Sequence, residues 1–183
     1  MARIIYSLNA TLGGTCFHED VIADEEHHRY AIDLLHSAEA LLLGRNTYDL
    51  FVEFWPSAVH RNDLPCYIVE LATLLSEIPK IVVSNRELDP SWKNTKRIPG
   101  MELTVLRSAL RAFSGNVVLF GSPGLAKSLA AEKLINEVHI LLQPLFSERG
   151  PQTPFLWHEY RMRNLSASRF TSGVICLCYQ LAP

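Results

Sequence analysis

Twice along this chain an unbroken apolar run ends in a glycine and gives way at once to a helix-forming stretch. The first is Leu41-Leu42-Leu43-Gly44, followed by Arg45-Asn46-Thr47-Tyr48; the second is Val117-Val118-Leu119-Phe120-Gly121, followed by Ser122-Pro123-Gly124-Leu125. Strands that are apolar on both sides belong in sheets covered on both faces, which is the condition of parallel sheets flanked by helices. Residues 2–9 and Lys80 to Ser84 read the same way. Strands alternate with helices as far as Glu137, and the period then changes to strands alone: Val138 to Leu145, and a hairpin of Leu165 to Phe170 with Val174 to Leu181 turning at Thr171-Ser172-Gly173. This order specifies a three-layer α/β fold with a mixed, mostly parallel sheet and a C-terminal antiparallel hairpin. No repeat, low-complexity segment or linker divides residues 1–183, so a single domain is expected.

The helices carry their own punctuation. Asp24 is a good N-cap, with Glu25 and Glu26 where the helix dipole favours acids, and His27, Tyr30, Ala31, Leu34 and Leu35 recur at helical spacing. Tyr48, Phe51, Val52 and Trp55 follow i, i+3, i+4, i+7, and Pro56 is expected to stop that helix. Asp63 with Pro65 opens a third, carrying Leu64, Ile68, Leu71 and Leu75 on one side. A polar connection from Asn85 to Pro99, with a short strand around Lys96, leads to a helix over Thr104 to Phe113. Ser122 and Pro123 serve as N-cap and first residue of the last helix, with Leu125, Ala126, Leu129 and Leu134 facing inward.

Composition excludes several classes. Hydrophobic residues are 48% and charged residues 20%, with a net charge of −2 and no block of like charge, so neither disorder nor a basic nucleic-acid surface is expected. No run reaches the roughly 18 apolar residues of a membrane span, and the N-terminus reads as a strand rather than a leader. The four cysteines (Cys16, Cys66, Cys176, Cys178) form no C-x-x-C and are expected to be reduced; Cys176 and Cys178 share one strand face. No H-E-x-x-H is present, and adjacent His27 and His28 point in different directions on a helix, so no metal is expected. A cytoplasmic protein follows.

The two strand–glycine–helix turns are where chemistry could sit. Glycine lets a backbone approach a ligand closely, and the N–H groups of the next helix face outward with partial positive charge, which suits phosphate. Such ends also line the ligand crevice of open α/β sheets. Neither turn is a Walker sequence or a G-x-G-x-x-G. Two in one chain, with Arg45 beside the first, favour a dinucleotide.

Gly44-Arg45-Asn46-Thr47-Tyr48 resembles the G-R-x-T-[YFW] motif of the dihydrofolate reductase superfamily, and it follows the second strand as in that family. Tyr6-Ser7-Leu8-Asn9-Ala10-Thr11-Leu12-Gly13-Gly14 resembles the S-x-x-x-S-L-D-G opening of the branch that includes the reductase domain of the riboflavin-pathway bifunctional enzyme. Phe54-Trp55-Pro56, Val83-Ser84, Leu119 to Ala126 and Leu134 to Val138 resemble later motifs of that branch, in the same order. The resemblance implies a dihydrofolate-reductase-like domain that binds NADPH and transfers hydride to a C=N or C=O group of a small, pterin- or pyrimidine-like substrate. It implies phosphate contacts from Gly44, Arg45 and Thr47, and an adenosine-phosphate corner at Ser84, Asn85 and Arg86. Asn9 and Ala10 would meet the nicotinamide amide. Gly121 and Ser122 would abut pyrophosphate and nicotinamide, with Gly124 and Leu125 beside them.

Three departures stand out. Gly13 replaces the usual acid, which would loosen the loop over the nicotinamide or remove a contact. Ser122 replaces the second glycine of a pair where a cis peptide is typical. Gly124 stands where folate reductases often carry a basic residue for the 2′-phosphate, leaving NADPH preference to Arg45 and Arg86. The proton donor implied by the family falls near His28, with Glu25 as the other candidate, and the absence of an aspartate there argues against folate reduction. No deaminase signature accompanies the chain: there is no H-x-E, and Pro65-Cys66-Tyr67-Ile68-Val69 is not P-C-x-x-C, so a stand-alone reductase-type domain is expected. The alternative is a non-catalytic homologue that keeps the fold as a nucleotide-binding or assembly module. Gly173 to Leu181 is apolar on both faces, so a twofold homodimer burying the C-terminal hairpin is expected.

Overall fold

The computed structural model describes residues 2–88, 92–100, 102–153 and 161–181. Eight strands, five α-helices and one short 3-10 helix (His18–Asp20) occur among them: β1 (Arg3–Thr11), α1 (Glu25–His36), β2 (Ala38–Gly44), α2 (Arg45–Ala58), α3 (Cys66–Glu77), β3 (Lys80–Val83), β4 (Thr95–Ile98), α4 (Leu103–Leu110), β5 (Asn116–Phe120), α5 (Pro123–Ala131), β6 (Ile135–Gln143), β7 (Met162–Arg169) and β8 (Ile175–Leu181). The strands hydrogen-bond in the order β4-β3-β2-β5-β1-β6-β8-β7. The fold is three-layered α/β with a mostly parallel sheet and antiparallel C-terminal strands, as the apolar runs imply. The chain divides into two compact units: Met1–Ala2 with His28–Val118, and Arg3–His27 with Leu119–Pro183.

In the first unit β2, β3 and β4 are parallel, with Leu41 to Gly44 opposite Lys80 to Val83. Leu41, Leu42 and Leu43 are wholly buried, which is why this strand has no polar face. Lys80 is the exception that the pattern tolerates. It is 1% exposed, and its ammonium donates to the carbonyls of Leu75, Ser76 and Ile78 at 2.7, 3.1 and 2.9 Å. These are carbonyls at and just beyond the C-terminal end of α3, where a cation complements the helix dipole. The Trp92 ring lies under the same ammonium, 4.8 Å from centroid to nitrogen.

The second unit is built on the parallel pair β1–β6, from Ile4↔Ile135 to Thr11↔Gln143, and on the antiparallel pairs β6–β8 and β8–β7. The hairpin turns at Thr171 to Gly173, where Gly173 adopts φ 91°. α5 packs its Leu125, Ala126, Leu129 and Ala130 inward.

Four expectations about ends are corrected. Pro56 does not stop α2; it lies in the final turn, where the lost N–H costs one hydrogen bond, and the helix runs on to Ala58. Asp63 does not cap α3 but pairs with Arg61, and the helix begins after Pro65. α4 begins at Leu103 and ends at Leu110, because Ala112 and Phe113 bond three residues back and tighten into a 3-10-type turn. β6 starts at Ile135 and ends at Gln143, since Pro144 has no N–H for the ladder; Leu134 precedes it, outside α5. The strand near Lys96 is β4, while part of the polar connection, residues 89–91, lies outside the described residues.

Replacing Lys80 by Met strips three carbonyls of their shared donor. It is expected to lower the unfolding free energy by roughly 2–3 kcal/mol in urea titrations. Lys93→Met, which removes only the exposed pair with Glu77, should cost less than about 0.5 kcal/mol.

Candidate functional site

In the first unit β2 ends at Gly44, whose backbone is extended (φ −84°, ψ 164°), and α2 begins at the next residue. Its first turn, Arg45 to Thr47, contains no acid. Arg45 is the cation of this turn. Its Nε hydrogen-bonds Asp49, one turn on, at 2.8 Å, and its Nη1 donates to the carbonyl of Glu87 at 2.5 Å. The Asp49 hydrogen bond holds the guanidinium protonated above its ordinary range. After β3, the buried Ser84 hydroxyl closes a small loop: it donates to the Arg86 carbonyl (2.7 Å) and accepts from the Arg86 N–H (3.1 Å). Arg45, Ser84 and Arg86 are thus gathered by one short segment, residues 84–87, and Asn85 sits within it against Gly100. The sequence reading missed Arg97 of β4. Its Nη1 donates to the Ser84 carbonyl at 3.2 Å and it pairs with Glu87, so a second guanidinium serves the same corner. One of two adjacent cations on a short polar strand, Arg97 gave no signal of this.

In the second unit Asn9 and Ala10 end β1, and Gly121 donates its N–H to the Ser7 carbonyl at 3.0 Å, fixing the turn after β5 against β1. The described residues contain no cis peptide bond; Gly121 and Ser122 turn the chain through successive positive φ angles of 53° and 52°. Glycine adopts this freely, whereas for Ser122 it costs roughly 1–2 kcal/mol. The Ser122 hydroxyl does not cap α5; it bonds back to the Phe120 carbonyl at 3.2 Å. α5, like α2, has no acid in its first turn. A β-carbon added at Gly124 would meet no atom within 4 Å, so the position opens onto space, and Leu125 beside it is buried.

The loop after β1 is tied rather than loose, against the expectation from Gly13. A β-carbon there would lie 2.5 Å from the Ser147 carbonyl oxygen, so no acid fits. Thr11 N–H donates to the Thr15 carbonyl, Leu12 to Leu145 and Thr153 to Gly14, and the Thr11 and Thr15 hydroxyls share a buried hydrogen bond of 2.8 Å. Arg149 anchors the same loop through Glu19 and the buried Asp20.

The two proton-donor candidates stand in different settings. His28 packs against the rings of Trp55 and Tyr67 at 6.3 and 5.5 Å, and Glu25 is exposed at the start of α1. His27, the neighbour, makes the polar contact that sequence spacing could not reveal. Gln143 Oε1 accepts from the Ile22 N–H at 2.9 Å, which orients its amide so that Nε2 donates to Asn9 Oδ1 at 3.1 Å. Asn9 Oδ1 therefore accepts, and His27 Nε2, 3.1 Å away, is the protonated ring nitrogen. Asp24 caps α1 through the His27 N–H (2.8 Å), as expected of that residue.

Each unit thus carries a strand–helix junction with no acid in the first helical turn, a setting that favours an anionic group: the first unit with guanidinium groups beside it, the second with an unobstructed glycine. Comparison with known families gives the decisive match: the model of the RibD C-terminal domain covers residues 1–174. The chain belongs to the RibD C-terminal domain family. This family is the riboflavin-pathway reductase domain, which supports a reductase role. No curated protein sequence matches it. Among solved structures it is similar to a protein assigned to riboflavin biosynthesis from Shewanella sp. PV-4, at 18% identity and TM-score 0.70 with both chains fully covered. It is also similar to a pyrimidine reductase-like protein from Corynebacterium diphtheriae, at 12% identity and TM-score 0.66, covering 100% of this chain and 92% of that one. The deaminase/reductase of Thermotoga maritima matches at 11% identity and TM-score 0.66 over 99% of this chain and 57% of its own. At these identities the structural likeness speaks for the fold. No described helix is long and apolar enough to cross a membrane.

The two glycines of this family-typical framework should respond oppositely. Gly13→Asp is expected to lower stability by roughly 1–3 kcal/mol through its clash with Ser147. Gly124→Ala should raise stability by roughly 0.5–1 kcal/mol, because it fills open space within a helix. Paired thermal and urea unfolding curves check both.

Proposed function

We propose that this member of the family is an NADPH-dependent reductase acting on a C=N or C=O group of a small pterin- or pyrimidine-like molecule. The observation that carries the reading is the pair of acid-free helix starts behind buried strands, one with Arg45 in its first turn and the other with the open Gly124. Bound NADPH would supply the hydride. In the first unit Gly44, Arg45, Thr47, Ser84, Asn85 and Arg86, joined by Arg97, would hold its phosphate-bearing end. In the second, Asn9, Ala10, Gly121, Ser122, Gly124 and Leu125 would hold nicotinamide and pyrophosphate. His27 is the better proton source than His28 or Glu25, because its Nε2–H is already directed at Asn9 and its ring is oriented by the Gln143 relay. Four free cysteines support a reducing, cytoplasmic setting.

Titration with NADPH, read by tryptophan fluorescence, is expected to quench emission in the micromolar range; no binding at millimolar cofactor would leave the non-catalytic module instead. Arg45→Ala should weaken NADPH more than NADH, by about 10- to 150-fold, as loss of charge-assisted bonds to a 2′-phosphate requires. Equal loss for both cofactors would put Arg45 on the pyrophosphate.

A homodimer also belongs to this reading. Alternation along β8 puts Ile175, Leu177 and Tyr179 on one face, in register with Leu142, Ile140 and Val138 of β6. Ile175 remains 39% exposed, and Met162 and Leu165 on β7 are 40% and 42% exposed. Sedimentation equilibrium at micromolar concentration should give twice the chain mass, and Leu177→Lys should return it to one.

A further inference from the structure

The other face of β6 and β8, within the second unit and on the side that also carries Asn9 and Gln143, brings four reactive side chains into one row. The register sets His139 opposite Cys178 and Leu141 opposite Cys176, with Glu137 two residues from His139 on the same face. Glu137 Oε1 and His139 Nε2 are 2.6 Å apart, and each side chain is about 10% exposed. The ladder register sets the imidazole directly across from Cys178. The Cys176 and Cys178 sulfurs are 3.9 Å apart, and Ser166 of β7 is in register with Cys178 on the other side. Cys178 is partly exposed, whereas Cys176 is buried.

This is an ordered chain of carboxylate, imidazole, sulfur and second sulfur. Glu137 is itself held by Arg3 of β1, and Arg163 of β7 donates to Gln180 Oε1 at 2.5 Å. The geometry has an electrostatic consequence. A hydrogen bond from Cys176, opposed by burial but joined by His139 and Ser166, draws the Cys178 thiol well below its ordinary range. The same contact pushes Cys176 up. For His139 burial works downward, but its bonds to Cys178 and Glu137 outweigh it and raise the imidazole above its usual value. These contacts bias Cys178 toward the thiolate and His139 toward the imidazolium. By contrast burial pushes Cys16 to about 11, leaving it a poor nucleophile.

We propose that Cys178 is a modification site whose sulfur reacts with hydroperoxides, and that Cys176 is its resolving thiol. The Cys178 sulfur attacks the terminal peroxide oxygen; the O–O bond breaks, the sulfur loses two electrons, and the leaving alkoxide or hydroxide takes a proton from the His139 imidazolium. The product is a sulfenic acid. Cys176 then attacks that sulfur: an S–S bond forms, the S–O bond breaks, and the departing hydroxide takes the Cys176 proton to leave as water. An i, i+2 bridge along an extended strand departs from relaxed disulfide geometry, which favours easy reduction and suits a reversible mark. The proposal does not depend on the reductase reading.

The test uses the unmodified full chain. One tryptic peptide, residues 170–183, contains Cys176 and Cys178 and no other cysteine. Iodoacetamide labelling of Cys178, followed by mass spectrometry, is expected to slow less than threefold from pH 8 to pH 6. An unperturbed thiol slows about seventyfold. His139→Gln, checked for folding by circular dichroism, should restore the steep profile. Equimolar hydrogen peroxide should leave the wild-type peptide two hydrogens lighter, and Cys176→Ser should accumulate a dimedone-trappable sulfenic acid at Cys178. A steep wild-type profile, or a peptide unchanged in mass by peroxide, overturns the proposal.

Discussion

Pairing of β1 with β6 is the constraint on which the second unit rests. These strands lie more than 130 residues apart in sequence, yet eight residue pairs join them in parallel register. Closing so long a loop is entropically expensive before any ladder bond forms, so the contact must be secured by burial on both faces. Tyr6 and Val138, both 0% exposed, supply it on one face, and Ile5 (3%) and Leu141 (1%) on the other. The same register sets Asn9 and Gln143 within hydrogen-bonding reach and so orients His27. It also sets where β6 presents His139 to β8. Both the candidate nucleotide residues of this unit and the cysteine row are downstream of one pairing decision.

Much of the fold was legible because its strands are short, apolar and bounded by glycine. Val117 to Phe120 or Leu41 to Leu43 could hardly be anything else. Element ends were less legible, since they turn on single hydrogen bonds: Pro56 is tolerated where only one bond remains to be lost, and Pro144 ends β6 by the same rule. Of the candidate site, the residues adjacent to the two glycine turns could be named from local pattern. The polar setting of His27 could not, because it depends on Gln143, more than a hundred residues away. Nor could the tight seat of Gly13 against Ser147, which makes the missing acid a packing requirement.

The same distinction explains the cysteines. Spacing puts Cys176 and Cys178 on one face, and small buried residues are the ordinary meaning of that. Only strand register brings His139 and Ser166 to the second of them. Chemistry assembled across strands leaves no local trace, whereas chemistry assembled at a turn does.

All eight residues of β7 are exposed, and its ladder is made with β8 alone. A strand that buries so little has small local opening energy, so it forms the lowest rung of a stability hierarchy in which β1 and β6 stand at the top. Transient fraying of β7 would remove Ser166 from Cys178 without disturbing the core beneath. Access to that partly exposed sulfur thus widens with edge breathing, on a timescale set by one strand's hydrogen bonds rather than by unfolding of the protein.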